Sequence, residues 1–162
     1  MAVKIEDYKL VNRFLISEGV DSILYGSLGV SVYLGNFRDF DDIDLLVEDK
    51  NVEGEWSRLK EIMAKQGFDI SDEHEHEFKN TEGVKVAFAS QNVLVEDNIC
   101  DPNKDLVTVQ VDDVTVRTIT PEAFIKAYTF SSTDGYRIDK RGDSDLNIVR
   151  KLKSIQESKK AR

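Results

Sequence analysis

The chain reads as a single α/β (α+β) domain built on one mixed sheet with helices packed against it. Three observations predict this. First, a strand-like run, SILYG (Ser22–Gly26), passes through a Gly-Ser pair into a short helical segment and then a second strand, DIDLLV (Asp42–Val47). A strand-helix-strand opening favours a parallel pair. Second, the later strand-like runs are joined by tight turns, which favours antiparallel hairpins. Third, amphipathic stretches at both ends and in the middle supply faces that can cover a sheet. With 162 residues, 40% of them hydrophobic, there is material for one core. The sequence places the sheet-bearing core at about 20–120 and a helical C-terminal part at about 121–162.

In order along the chain, DYKLVNRFLISEG puts Tyr8, Val11, Phe14 and Leu15 on one helical face, with Gly19 as the stop. Leu28–Gly35 reads as a helix whose N-cap is Ser27, since its hydroxyl can accept from an orphan N–H of the first turn. In the strand Asp42–Val47, the period of two puts Asp42 and Asp44 on one face and Ile43, Leu45 and Val47 on the other. Glu53–Gln66 is amphipathic, with Trp56, Leu59, Ile62 and Met63 inward and Gly67 at its end. Strands are expected around Glu73–Lys79 and Val84–Ala89, joined by NTEG, and then through Leu106–Ile119, folding back at Asp112-Asp113. Thr120-Pro121 opens a helix, Thr as N-cap and Pro at the first helical position. Ser144–Lys159 carries a last stripe of Leu146, Val149, Leu152 and Ile155.

One third of the residues are charged and the formal net charge is −9, which disfavours sequence-independent binding of nucleic acid. No apolar run approaches the ~18 residues of a membrane helix, and MAVKIEDYKL does not read as a signal peptide, so the expected compartment is the cytoplasm. Cys100 is the single cysteine; there is no disulfide framework, and an inert small residue is expected there.

The chemistry concentrates in YGSLGVSVYLGNFRDFDDIDLLV, Tyr25–Val47. Gly26 allows a sharp turn and close approach of a ligand, and a helix opening there aims free N–H groups and a partial positive charge at an anion. Ser27 can add a hydroxyl donor. Asp42 and Asp44 on one strand face repel each other unless a cation lies between them, and their oxygens suit Mg²⁺, which keeps waters and phosphate oxygens as its other ligands. An EF-hand loop fails, because Asp44 and Lys50 stand where Gly and Glu are needed; the Walker Gly-Lys-Ser/Thr is absent.

This stretch resembles the signature of the nucleotidyltransferase superfamily, the DNA polymerase beta-like fold, nearest to the small aminoglycoside-nucleotidyltransferase-like bacterial proteins. Arg38, four residues before Asp42, matches that group, and TITPEAFIKAYTF followed by RIDKRGDSDLNIVRKL is similar to the family's ending. The resemblance implies that Gly26 and Ser27 hold a triphosphate and that Asp42 and Asp44 hold a catalytic Mg²⁺ (or Mn²⁺). It implies that Arg38 meets phosphate or supports the acidic strand, and that Lys126 faces the nucleotide or the second substrate. Lys140, with Arg137 and Arg141, would supply cations to a triphosphate in an acidic protein. The implied reaction moves a nucleoside monophosphate from a nucleoside triphosphate (NTP) to a hydroxyl acceptor, a small molecule or a protein. A protein partner or a homodimer is compatible with so small a core.

The sequence departs from the pattern at one point. Members carry a third carboxylate on a later strand, and EGVKVAFAS offers Ala87 there. Glu75, Glu77, Asp69 or Asp72 are the acids that could replace it. The alternative is a non-catalytic nucleotidyltransferase-like module, an antitoxin-type partner or a nucleotide sensor. The only histidines, His74 and His76, share a face if DEHEHEF is extended; an exposed acidic sheet edge explains them better than a zinc site. The basic KLKSIQESKKAR end reads as a solvated helix terminus.

Overall fold

The computed structural model describes residues 4–35, 40–133 and 147–157. Its sheet has seven strands in the order β3-β4-β5-β2-β1-β7-β6. These are β1 (Ser22–Tyr25), β2 (Ile43–Val47), β3 (Asp69–Asp72), β4 (Glu77–Lys79), β5 (Lys85–Ser90), β6 (Leu106–Val111) and β7 (Val114–Ile119). The helices are α1 (Ile5–Ser17), α2 (Gly26–Leu34), α3 (Trp56–Lys65), a single turn α4 (Val93–Glu96), α5 (Pro121–Thr133) and α6 over 147–157.

Strand alternation sorts the apolar side chains into two cores. Leu24, Ile43, Leu45, Val47, Val86, Phe88 and Val116 face one way and meet Tyr8, Val11 and Leu15 of α1 and Leu59, Ile62 and Met63 of α3. Ile23, Leu46 and Ile119 face the other way, under Phe124 and Tyr128 of α5 and Val149 and Leu152 of α6. The periodicity in α1, α3 and α5 therefore turns the stripes it predicts toward the sheet; in α6 Val149 and Leu152 are buried and Ile155 half-buried, while Leu146 and the ends of the expected Ser144–Lys159 helix lie outside the described residues. The β6–β7 hairpin turns at Asp112-Asp113, with Val111 opposite Val114. Thr120 caps α5: its Oγ1 accepts from the Ala123 N–H at 3.1 Å.

The first two strands are not parallel. β1 and β2 pair antiparallel, and the parallel pairs are β1–β7 and β2–β5. The cause lies in α2. The Tyr33 hydroxyl, in its last turn, donates to the carbonyl of Ile119 at the far end of β7 (2.7 Å). Leu24 is level with Thr118, so Ile119 stands at the same end of the sheet as Tyr25, where α2 begins. Helix α2 thus lies along the strand ends instead of running back over the sheet. The chain re-enters where it left, and β2 must run the opposite way.

Two local expectations also change. The strand around Glu73–Lys79 is shorter: Glu73–His76 is a turn joining β3 to β4, closed by the His76 N–H on the Glu73 carbonyl (3.2 Å). His74 and His76 therefore share no strand face. β3 itself, DISD, is exposed throughout and has too little alternation to be read from sequence. Helix α2 begins at Gly26, not after Ser27, and no side chain caps it.

Phe124 ties the second core together. It is fully buried, with Tyr25 stacked at 5.9 Å, Tyr33 edge-on at 6.1 Å and Tyr128 at 6.5 Å between ring centroids. Gly29 of α2 gives it room, since a Cβ there would lie 2.8 Å from Phe124 Cζ. Phe124→Ala is expected to lower the unfolding free energy by about 3–5 kcal/mol, read from urea titration.

Candidate active site

Antiparallel pairing sets Tyr25 directly opposite Asp44. One residue further on, Gly26 takes φ +65°, a left-handed conformation that admits glycine at little cost. This bend starts α2 with no loop between strand and helix. A Cβ at Gly26 would stand 2.1 Å from Asp44 Oδ2 and 2.9 Å from its Cγ. Only a hydrogen leaves space for the carboxylate, which lies against the opening of the helix. There the N-terminal N–H groups and the helix dipole favour negative charge.

Around this contact runs a cleft of about 310 Å³. Tyr25, Gly26 and Ser27 form one wall, Asp44, Leu46, Ala87 and Ala89 the floor, and Val93, Ala127, Tyr128 and Glu75 the rest of the rim. The floor is the part of the second sheet face that the α5–α6 layer leaves bare. Ala87 sits level with Asp44 on the neighbouring parallel strand. The position at which the resemblance expects a third carboxylate is thus beside Asp44, and it holds a methyl group.

The structure brings together Gly26, Ser27 and Asp44. Asp42 is half-buried one residue ahead of β2 and is not part of the cleft lining. Lys126 does not face the cleft: its neighbours Ala127 and Tyr128 do, and it lines a separate groove with Cys100 and Asp105. Helical geometry explains this, because adjacent residues on α5 are about 100° apart. Arg38, Arg137, Lys140 and Arg141 lie outside the described residues. Sequence reasoning named Glu75 as one of four acids that could replace the third carboxylate, but nothing local singled it out. Its place at the rim is set by the turn Glu73–His76, which periodicity does not encode.

Among the described residues, no group of three or more His, Cys, Asp or Glu is placed to hold a metal ion, and no Lys, Arg or His lines the cleft. Cys100 lines the separate groove and not the cleft. Burial, then the charges of Asp105 and Asp101, push its thiol pKa up against a smaller opposing effect of Lys126.

The family of the chain follows from comparison with known proteins. A family model described as "Nucleotidyl transferase of unknown function (DUF2204)" matches residues 4–158. The chain belongs to this nucleotidyl transferase family. Within the curated proteins, the uncharacterized protein YnaI of Bacillus subtilis (strain 168) is 33% identical over 154 residues, 89% of this chain and 97% of that one. The fold is shared with the lincosamide antibiotic adenylyltransferase LnuA in its lincomycin-bound crystal structure (TM-score 0.65, 18% identity, 96% of this chain and 99% of that chain). It is also shared with an antigenic nucleotidyltransferase-like protein from Paracoccidioides brasiliensis (TM-score 0.63, 13% identity, 94% and 78%). The solution structure of the antibiotic-resistance factor ANT(2'')-Ia is similar too (TM-score 0.58, 15% identity, 96% and 89%).

Two outcomes follow. Gly26→Ala is expected to destabilise the protein by about 1–3 kcal/mol in urea unfolding, from left-handed strain and the collision with Asp44. Part of the loss returns in the Gly26→Ala, Asp44→Ala double variant, a non-additivity that independent sites would not show. The Cys100 thiol is expected to react with iodoacetamide more slowly than a free cysteine at pH 8, with the gap closing as the protein is unfolded in urea.

Proposed function

We propose that the protein is a Mg²⁺-dependent nucleotidyltransferase that moves a nucleoside monophosphate from an NTP to a hydroxyl acceptor. The observation that carries this reading is the contact between the Asp44 carboxylate and the glycine bend that opens α2. It joins a metal-binding oxygen to a helix N-terminus suited to phosphate.

Electrostatics supports the metal. A triphosphate entering this cleft meets Asp44 and Glu75 and no basic side chain among the described residues. Like charges 4 Å apart cost about 1 kcal/mol in bulk water and about 4 kcal/mol at a protein surface. Divalent cations accompanying the anion would offset this repulsion. The donor set fits Mg²⁺ in that role: Asp44 would supply one carboxylate in the cleft, Asp42, two residues earlier and outside the cleft lining, would supply at most a second, and the remaining ligands would be water and phosphate oxygens. Bound there, Mg²⁺ would neutralise charge on the phosphate oxygens. The chain itself provides the rest. The first turn of α2 and the Ser27 hydroxyl hold the triphosphate, and the Gly26 bend lets it approach the backbone. The bare floor at Ala87 and Ala89 leaves room for an acceptor hydroxyl to meet the α-phosphorus, with pyrophosphate leaving.

Thermal unfolding tests this reading. Mg²⁺ alone and ATP alone are expected to shift the melting temperature little, because neither completes the coordination. Together they are expected to stabilise the protein, by about 2.7 kcal/mol at 100 times Kd. Asp44→Asn should abolish the gain, along with transfer of label from α-labelled ATP to components of a cell extract. If none of the four ribonucleoside triphosphates stabilises the wild type with millimolar Mg²⁺ or Mn²⁺, the reading is wrong.

A further inference from the structure

The cleft contains a second acid that the family pattern does not use. On the proposed reading of the site, we infer that Glu75, from the turn before β4, is the base that takes the proton of the acceptor hydroxyl, in place of the strand carboxylate absent at Ala87.

Four observations lead there. A single row across the sheet runs Asp44, Ala87, Glu77, since Ala87 pairs with Asp44 on one side and with Glu77 on the other. Glu77 is the obvious substitute by register, but its Oε1 accepts from the Ser71 hydroxyl at 2.7 Å, which turns it toward β3 and away from Ala87. Asp69 and Asp72 lie on the exposed edge strand β3 and do not line the cleft. Glu75 does, and with Asp44 it is one of the two acids among the described residues that do so.

The turn that carries Glu75 is held from several sides. The Glu75 N–H donates to Asp72 Oδ1 at 3.1 Å. Trp56 of α3 donates its indole N–H to Glu73 Oε1 at 2.8 Å, and its ring meets His76 edge-on at 4.5 Å. The His76 carbonyl accepts the Phe88 N–H of β5 at 3.1 Å, and His76 itself takes φ +51°. A non-glycine residue in that conformation persists only where its surroundings fix it. The turn is thereby pinned to the strand that bears Ala87, with Glu75 on the lining of the cleft.

The placement also selects the role. Strand spacing puts the β4 end of the row about 10 Å from β2. Glu75 belongs to the turn beyond that end and not to the strand beside Asp44, and among the described residues no three acids form a metal-binding group. This placement suits a carboxylate that meets a second substrate lying between it and Asp44. In the step, the acceptor oxygen forms its bond to the α-phosphorus as the bond from that phosphorus to the bridging oxygen of pyrophosphate breaks. The hydroxyl proton passes to a Glu75 carboxylate oxygen. General-base catalysis of this kind contributes about 10²–10⁴-fold.

Glu75 is exposed, so Glu75→Gln leaves the fold intact. Its test has three arms. Stabilisation by Mg²⁺ with the non-hydrolysable α,β-methylene ATP should be retained in Glu75→Gln and lost in Asp44→Asn. Pyrophosphate release from Mg·ATP, with water as the acceptor, should fall at least about 100-fold in Glu75→Gln without a rise in KM for ATP. A crystal structure with Mg²⁺ and the same analogue should show Glu75 within about 3.2 Å of a water or hydroxyl facing the α-phosphorus, or linked to it by one water. Loss of analogue binding in Glu75→Gln would make Glu75 a binding group and overturn the inference. So would unchanged pyrophosphate release, or a Glu75 turned out of the cleft in the complex. If wild-type release to water is too slow to measure, the crystal decides alone. Undiminished binding and release in Asp44→Asn would instead bring down the reading of the site itself.

Discussion

The carboxylate of Asp44 lies against Gly26 so closely that a methyl group there would occupy the oxygen's place. This contact joins three separate pieces of physics. The left-handed φ of Gly26 turns a strand into a helix without a loop. The antiparallel register of β1 and β2 brings Asp44 level with that turn. The helix end then offers N–H groups and positive potential where a negative oxygen already stands. Parallel strands would have put Asp44 and Gly26 at opposite strand ends, and the two halves of the motif would not have met.

The packing behind the cleft holds α2, α5 and β7 around β1. Tyr33 ties the last turn of α2 to Ile119, and Phe124 fills the space between α2 and α5 that Gly29 leaves open. Thr118, fully buried, donates its hydroxyl to the Leu24 carbonyl at 2.7 Å and locks β7 to β1. The cleft is therefore the uncovered end of a face whose other end is tightly packed.

The acid at the rim gives the site an asymmetry. Asp44 sits on a central strand, paired on both sides, whereas Glu75 hangs from a turn pinned by Trp56, His76 and the Phe88 amide. A group on the central strand has one position. A group on a turn can be relocated by a change in turn length or conformation without disturbing the sheet. Replacement of a strand carboxylate by a turn carboxylate is thus structurally inexpensive, provided the turn is held as this one is.

Much of this was legible in the residues. Stripes at helical spacing in α1, α3, α5 and α6 reported their buried faces directly, because side-chain direction along a helix is fixed by local geometry. The two-residue turn at Asp112-Asp113 and the Thr120-Pro121 helix start were equally local. So was the Gly-Ser that opens α2, although Ser27 falls inside that helix and does not cap it. Other features depend on residues far apart in the chain. The direction of β2 was set by where α2 comes to rest, through a hydrogen bond between residues 86 positions apart. Lys126 was carried away from the cleft by the rotation of α5, and Glu75 was brought to it by a turn anchored on α3 and β5. Periodicity and turn chemistry act over a few residues and fix which segments are helix, strand or bend. Which side chains finally share a cleft is decided by packing between segments, and no short stretch of sequence contains it.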